Sequence, residues 1–325
     1  AEVRWENVHR GACEAADSSA AACPFEVLPV SGRSPGALAE QARRWAEFLE
    51  KDGGAYGLRD IVDTAQRRRA HLEHRLAVVG RTHAELVEQL RAVEAGEGAA
   101  AAKRAPRVVF VFPGYGAQWL GMGRRLAETE PVFRRALVAC DAALARLVDY
   151  SVVEQLFADA DHSRMREAVV VQPMTFALQV ALASLLRHWG IEPAAVVGHS
   201  MGEVAAAHVA GALSLEDAAR VIVARSRVVQ EHASHRGGML MLTGEASEAT
   251  AIAAEYAGRV SLGASNAPRM QVLSGDLPAL EEIAEELKTR GVFCRRVNVD
   301  YASHSPQMDP LLPLLREALS GVAPR

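Results

Sequence analysis

The chain has 325 residues, 50% of them apolar and 23% charged, with a formal net charge of −4. That length holds two or three domain-sized units with a buried core, and the balance excludes a disordered or membrane-embedded chain. The 36 basic residues are outnumbered by 40 acidic ones and form no block, so nothing points to a nucleic-acid partner.

The first residues, Ala1-Glu2-Val3-Arg4-Trp5, lack the basic and apolar regions of a signal peptide, and the start reads as a piece cut from a longer chain. Residues 1–23 form a connecting segment. Residues 11–22 and the Ala/Gly-rich 95–106 read as linkers bracketing a small α+β unit, 24–105. Within it, 25–30 is a strand. Ser34-Pro35 then opens a helix with Leu38, Ala42, Trp45 and Leu49 on one face. Arg67-Arg68-Arg69 reads as a solvated helix face, and the His71/His74 pair as a surface helix rather than a metal site. A strand at 76–79 follows, then a helix carrying Leu86 and Leu90 behind a Thr82/Glu85 capping box.

From Arg107 the pattern changes to βα alternation. Residues 108–112 form a β-branched strand ending at Pro113-Gly114, so a parallel sheet is expected. The apolar run at 176–186, interrupted by Gln179, is too short to cross a bilayer and reads as a buried helix. A second strand, 194–197, enters Gly198-His199-Ser200-Met201-Gly202 and an Ala-rich helix. A further helix opens at Ser214 with Asp217 completing a capping box. Between 239 and 297 the order is strand 239–242, helix 247–256, strands 260–263 and 271–274, helix 277–290 and strand 293–297. That is a ferredoxin-like βαββαβ order, inserted between catalytic-looking residues. Cys13, Cys23, Cys140 and Cys294 form no CxxC pair, which indicates neither a zinc site nor a disulfide framework and reads as a reducing cytoplasm.

Gly198-x-Ser200-x-Gly202 fits a nucleophile elbow, in which flanking glycines make room for the turn that lifts the serine to a helix N-terminus. There the Met201 N–H can stabilise an oxyanion. Pro113-Gly114-Tyr115-Gly116 supplies either a second donor or a plain βα turn. His304, in Tyr301-Ala302-Ser303-His304, is the preferred general base among the eleven histidines, by its position after the insert. His199 would point away from the serine. Arg225 lies three or four residues from Val221, Ile222, Val228 and Val229 and so faces the core, unlike Arg220 and Arg227. Its partner is either a protein acid such as Glu203 or a substrate carboxylate.

With these residues placed, the chain resembles the acyltransferase domains of modular polyketide synthases, related to malonyl-CoA:acyl carrier protein transacylases. Residues 24–105 look like the adapter joining ketosynthase to acyltransferase. Phe112-Pro113-Gly114-Tyr115-Gly116-Ala117-Gln118, the Gly-His-Ser-Met-Gly-Glu elbow at 198–203 and the Tyr-Ala-Ser-His at 301–304 resemble the catalytic motifs. The resemblance implies an α/β-hydrolase-like parallel-sheet core at 106–236 and 299–325, with a ferredoxin-like subdomain at 237–298. It makes Ser200 the nucleophile, His304 its base, the Met201 and Tyr115 N–H groups the oxyanion hole, and Arg225 the holder of a malonyl carboxylate. Gln118 and Gln172 match pocket positions. The family usually has glutamine at the place of Tyr115, and its catalytic domain continues past the place of Arg325, so a core incomplete at its C-terminus is expected.

The implied reaction is a ping-pong transfer from an acyl-CoA donor to the phosphopantetheine thiol of an acyl carrier protein, with a ketosynthase as neighbour, no metal or redox cofactor, and no nucleic-acid or membrane partner. Tyr301-Ala302-Ser303-His304 resembles the methylmalonyl-selecting version of the motif, whereas malonyl-selecting relatives tend to have His-Ala-Phe-His. A small Ser303 leaves room for the α-methyl. Residues 167–172 partly resemble the matching upstream motif. The alternatives are a serine hydrolase or thioesterase, which shares the elbow, and an inactive structural fragment packing on a ketosynthase.

Overall fold

The computed structural model describes residues 25–94, 107–116, 118–256 and 258–325, which divide into two compact units between Arg107 and Val108. The connecting segment 1–23, the linker at 95–106, Cys13 and Cys23 lie outside the described residues.

In the first unit, β1 (Glu26–Gly32) and β2 (His74–Gly80) pair antiparallel from Glu26↔Gly80 to Gly32↔His74. The chain then leaves β1 into α1 (Pro35–Lys51), because Ser34 Oγ accepts the Ala37 N–H at 3.1 Å and Pro35 starts the first turn. Leu38, Ala42, Trp45 and Leu49 share the buried face, and they meet Leu86 and Leu90 of α3 (His83–Glu94) in one core. Burying each large apolar side chain contributes about 1.5–3 kcal/mol. Thr82 Oγ1 caps α3 through the Glu85 N–H at 3.2 Å, but the Glu85 carboxylate reaches the Arg81 N–H instead of Thr82, so only half of the expected box forms.

Two expectations here are corrected. His71 and His74 are not on a helix: α2 (Leu58–Arg68) ends before them, and His74 opens β2. Ser31 Oγ donates to the Ala70 carbonyl at 2.9 Å and accepts the Leu72 N–H at 3.0 Å, so the backbone of that stretch is satisfied by β1 rather than by a helical turn. Of the arginine triplet, Arg67 pairs with Asp63 on the solvated face of α2, whereas Arg69 lies beyond the helix with its guanidinium 5.0 Å from the Trp45 ring centroid.

The second unit is α/β. Its β3 (Val108–Phe112) runs parallel to β4 (Pro193–Gly198), with Phe112 opposite Gly198. Phe110 and Phe112 point into the core, and Val109 and Val111 are exposed on the other face. Helices α4 (Arg124–Thr129), α5 (Pro131–Leu144), α6 (Val152–Phe157), α7 (Ala168–His188), α8 (Gly202–Val209) and α9 (Leu215–His232) follow. Phe133, Leu137, Met174, Phe176, Leu185 and Ile222 are among its largest buried anchors. The apolar run at 176–186 lies within α7. That helix is long and apolar enough to cross a membrane, yet 67% of its most apolar stretch is buried inside this unit, as befits a core helix.

From Gly238 the chain builds β5 (Gly238–Leu242), α10 (Ala246–Glu255), β6 (Val260–Ala267), β7 (Met270–Gly275), α11 (Leu277–Thr289) and β8 (Cys294–Arg296). All pairs are antiparallel and the strand order is β6-β7-β5-β8, the arrangement in which a βαββαβ chain folds as a ferredoxin-like layer. Leu240, Leu242, Leu273, Leu280 and Ile283 form its own core. The chain then returns through Val299 and Tyr301 to the 3₁₀ turn Pro306–Leu311 and α12 (Leu312–Ala318).

Candidate active site

The turn between β4 and α8 is dictated by its glycines. A Cβ on Gly202 would lie 2.0 Å from the Phe112 carbonyl oxygen, and one on Gly198 would lie 2.3 Å from Glu203 Cα. Neither position can carry a side chain, and the chain between them turns so sharply that Ser200 adopts φ 54°, a left-handed conformation that is strained for serine. The His199 N–H anchors the elbow to β3 through the Phe112 carbonyl at 2.9 Å.

Ser200 Oγ lies 2.8 Å from His304 Nε2, across 104 residues of sequence. His304 is itself held at φ 58°. Its segment is gripped on both sides: Ser274 Oγ on β7 donates to the Ser303 carbonyl at 2.5 Å, and Ser305 Oγ donates to the Ala302 carbonyl at 2.7 Å. Burial, then the charges of Arg225 and His199, hold the His304 pKa below the ordinary histidine value, against a smaller opposing pull from Glu203. A neutral imidazole hydrogen-bonded to a hydroxyl is the arrangement that can take its proton on attack. Among the described residues no group, acidic or otherwise, hydrogen-bonds His304 Nδ1. The Met201 and Tyr115 N–H groups donate to nothing in the described chain, and Met201 caps α8, whose dipole favours negative charge at this end.

Arg225 is half-buried on α9, and its Nη1 donates to Oε1 of Gln172 on α7. Gln172 is fully buried, and its Nε2 donates to the Tyr301 hydroxyl at 3.4 Å. Arg225 forms no ion pair among the described residues, and Glu203 is exposed rather than turned to it. Of the two partners the spacing left open, the protein acid is therefore absent, and an amide that leaves the guanidinium charge uncompensated stands in its place. Burial raises the Tyr301 pKa against the pull of Arg225, and pushes that of Tyr115, next to Tyr301 and Asp300, up to about 12. Both phenols stay protonated at neutral pH.

Two of the expected residues are placed less directly. Gln118 folds back so that its Oε1 accepts the Gly116 N–H at 2.8 Å. Ser303 is buried beside Tyr301, with its carbonyl rather than its hydroxyl engaged. The sequence reading missed three contacts. His199 does point away from Ser200, and its Nε2 meets Asn266 Oδ1 on β6 at 3.0 Å. Ser274 grips the His304 segment, and Gln179 contacts the loop after β3. Only Gln179 carried a signal, as the polar break in an apolar run. Among the described residues no group of three His, Cys, Asp or Glu side chains could hold a metal ion.

The profile of the "Acyl transferase domain" family matches residues 109–325, and that of the "CurL-like, PKS C-terminal" family matches residues 26–90. The chain is 44% identical over 309 residues to the spectinabilin polyketide synthase system protein NorA' of Streptomyces orinoci, covering 93% of this chain. It is 42% identical over 306 residues to erythronolide synthase EryA2 of Saccharopolyspora erythraea, covering 92%. In each case it spans only 8% of the relative's length. The crystal structure of the acyltransferase domain from module 8 of the salinomycin polyketide synthase superposes with a TM-score of 0.83 at 39% identity, covering 93% of this chain and 73% of that one. The acyl transferase domain of SpnD, in complex with 2-(pent-4-yn-1-yl)malonyl, gives 0.79 at 32% identity, covering 93% and 71%.

Proposed function

Since the chain belongs to the acyltransferase domain family of modular polyketide synthases, we propose that it moves a malonyl-type extender unit, methylmalonyl in particular, from CoA to an acyl carrier protein. The observation that carries this reading is the 2.8 Å contact between Ser200 Oγ and a neutral His304 beside an Arg225 that has no protein acid.

In this mechanism Ser200 Oγ attacks the thioester carbonyl while His304 Nε2 takes its proton. The Met201 and Tyr115 N–H groups receive the oxyanion. The C–S bond breaks, the CoA thiolate leaves with the proton from His304, and an ester remains on Ser200. The phosphopantetheine thiol of the carrier protein then gives its proton to His304 and attacks that ester. The C–O bond breaks, and Ser200 recovers its proton. Arg225, oriented by Gln172, holds the malonyl carboxylate as a planar fork does best. No cofactor takes part beyond the donor CoA and the acceptor phosphopantetheine.

The buried, small Ser303 beside Tyr301 supports selection of the α-methyl, and the substituted malonyl bound in the SpnD domain is in keeping with a pocket of this family that takes branched units. Gln118 and Gln172 line the substrate pocket in this reading. In this reading 24–105 is the linker to a ketosynthase, 106–236 and 299–325 the catalytic core, and 237–298 the small subdomain, all working in the cytoplasm within a longer synthase. A hydrolase with a carboxylate-supported histidine is disfavoured, because no Asp or Glu among the described residues reaches His304 Nδ1.

Competition between methylmalonyl-CoA and malonyl-CoA, read by intact protein mass and followed by addition of a carrier protein bearing phosphopantetheine, tests the reading. A dominant methylmalonyl adduct that moves to the carrier protein is expected. Equal loading of both esters would overturn the selectivity, and an adduct that only hydrolyses would overturn the acceptor.

A further inference from the structure

Gln179 lies on α7 seven residues beyond Gln172, two turns along the same helix. Its Nε2 donates to the Pro113 carbonyl at 2.7 Å, while its Oε1 is buried with no partner among the described residues. The acceptor sets which end of the amide faces it, since an exchanged Oε1 would confront a carbonyl oxygen. Leaving a buried amide oxygen unpaired is unfavourable, so the contact made by the other end calls for a reason.

That contact fixes the peptide plane between Pro113 and Gly114. The next plane, between Gly114 and Tyr115, carries the Tyr115 N–H, and glycine is the joint least able to fix one plane relative to the other. His199 also closes on the same joint. Its Nδ1 and its carbonyl oxygen each lie 3.0 Å from where a Gly114 Cβ would sit, and its ring is tied to Asn266. The loop after β3 thus meets both an amide from α7 and an imidazole from the elbow.

We propose that Gln179 is a positioning residue for acyl transfer, its amide fixing the Pro113 carbonyl and through it the direction of the Tyr115 N–H toward the developing oxyanion. This rests on the proposed assignment of Ser200 as nucleophile and Tyr115 as oxyanion donor. Losing a whole oxyanion donor costs about 10²–10³-fold in rate, so misdirecting one is expected to cost about tenfold or more.

Single-turnover acylation by methylmalonyl-CoA, followed by intact mass, tests this in Gln179→Leu and Gln179→Glu with Ser200→Ala as control. Gln179→Leu should slow acylation about tenfold or more at saturation, with the half-saturating concentration unchanged. Gln179→Glu can donate to the Pro113 carbonyl only when protonated, so its rate relative to the native protein should rise as the pH falls. A side chain that merely stabilised the fold would leave that ratio flat. Native acylation in Gln179→Leu, or a flat ratio in Gln179→Glu, would overturn the inference, and the second variant decides if the first does not fold. Acylation that persists in Ser200→Ala would overturn the underlying assignment as well, which separates the two failures.

Discussion

Replacing Arg225 with alanine removes two things. Gln172 Oε1, fully buried, loses its donor, and the site loses its uncompensated guanidinium. The first is a stability effect of about 1–3 kcal/mol, the ordinary cost of an orphaned buried acceptor, felt equally by every substrate. The second is a substrate effect. A hydrogen bond to a charged group is worth about 1.5–3 kcal/mol, which at about 1.4 kcal/mol per factor of ten is roughly tenfold to a hundredfold in kcat/KM. Only a carboxylated acyl group feels it. Methylmalonyl-CoA and propionyl-CoA differ by that carboxylate alone, so single-turnover acylation by each isolates the term. The ratio of the two rate constants should fall about tenfold to a hundredfold in Arg225→Ala, while the propionyl rate changes little. An equal loss with both esters would mean that Arg225 acts only through Gln172 and the fold, and would refute the carboxylate assignment.

Gly202→Ala would place a methyl 2.0 Å from the Phe112 carbonyl oxygen, so β3 must retreat by about 1 Å to restore even a 3.0 Å contact. Thermal unfolding should show a loss of about 1–3 kcal/mol and acylation a loss of about a hundredfold, while a native rate would contradict the tightness of the elbow. Burial, Arg225 and His199 all disfavour the imidazolium of His304. Acylation should therefore persist as the pH falls through 6.5 and fail only below it, and Arg225→Ala should move that limb upward; a limb at or above 6.5 in the native protein would contradict this. Ser303→Phe should shift competition between the two CoA esters toward malonyl by about 1–3 kcal/mol, and an unchanged product ratio would remove Ser303 from extender choice.

What could be read from the chain was whatever is encoded locally. Ser34-Pro35 starts α1, the 3.6-residue spacing buries Leu38, Ala42, Trp45 and Leu49, and the β-branched run at 108–112 is a strand, because caps, periodicity and propensity act within a few residues. The Gly-x-Ser-x-Gly turn was equally legible, its glycines being required by backbone that passes within 2.0–2.3 Å. Of helix α2 only the charged end at Arg67-Arg68 was legible, because just Ile61, Val62 and Ala65 are buried in an otherwise charged stretch. That His71 and His74 leave the helix was not legible because a strand distant in sequence holds the segment: Ser31 Oγ bonds the Ala70 carbonyl and the Leu72 N–H, and Gly32 pairs with His74. Helical spacing could turn Arg225 inward, but not supply a partner on a helix 53 residues away. The meeting of Ser200 with His304 depends on the ferredoxin-like layer returning the chain to the elbow, which no local signal carries.

The central claim is that Ser200 is acylated by a carboxylated CoA ester. Incubation with methylmalonyl-CoA followed by intact mass, comparing the native chain with Ser200→Ala, tests it most directly. A gain of one methylmalonyl group by the native chain and none by Ser200→Ala is predicted. An adduct that survives in Ser200→Ala, or a folded native chain that gains nothing, would contradict it.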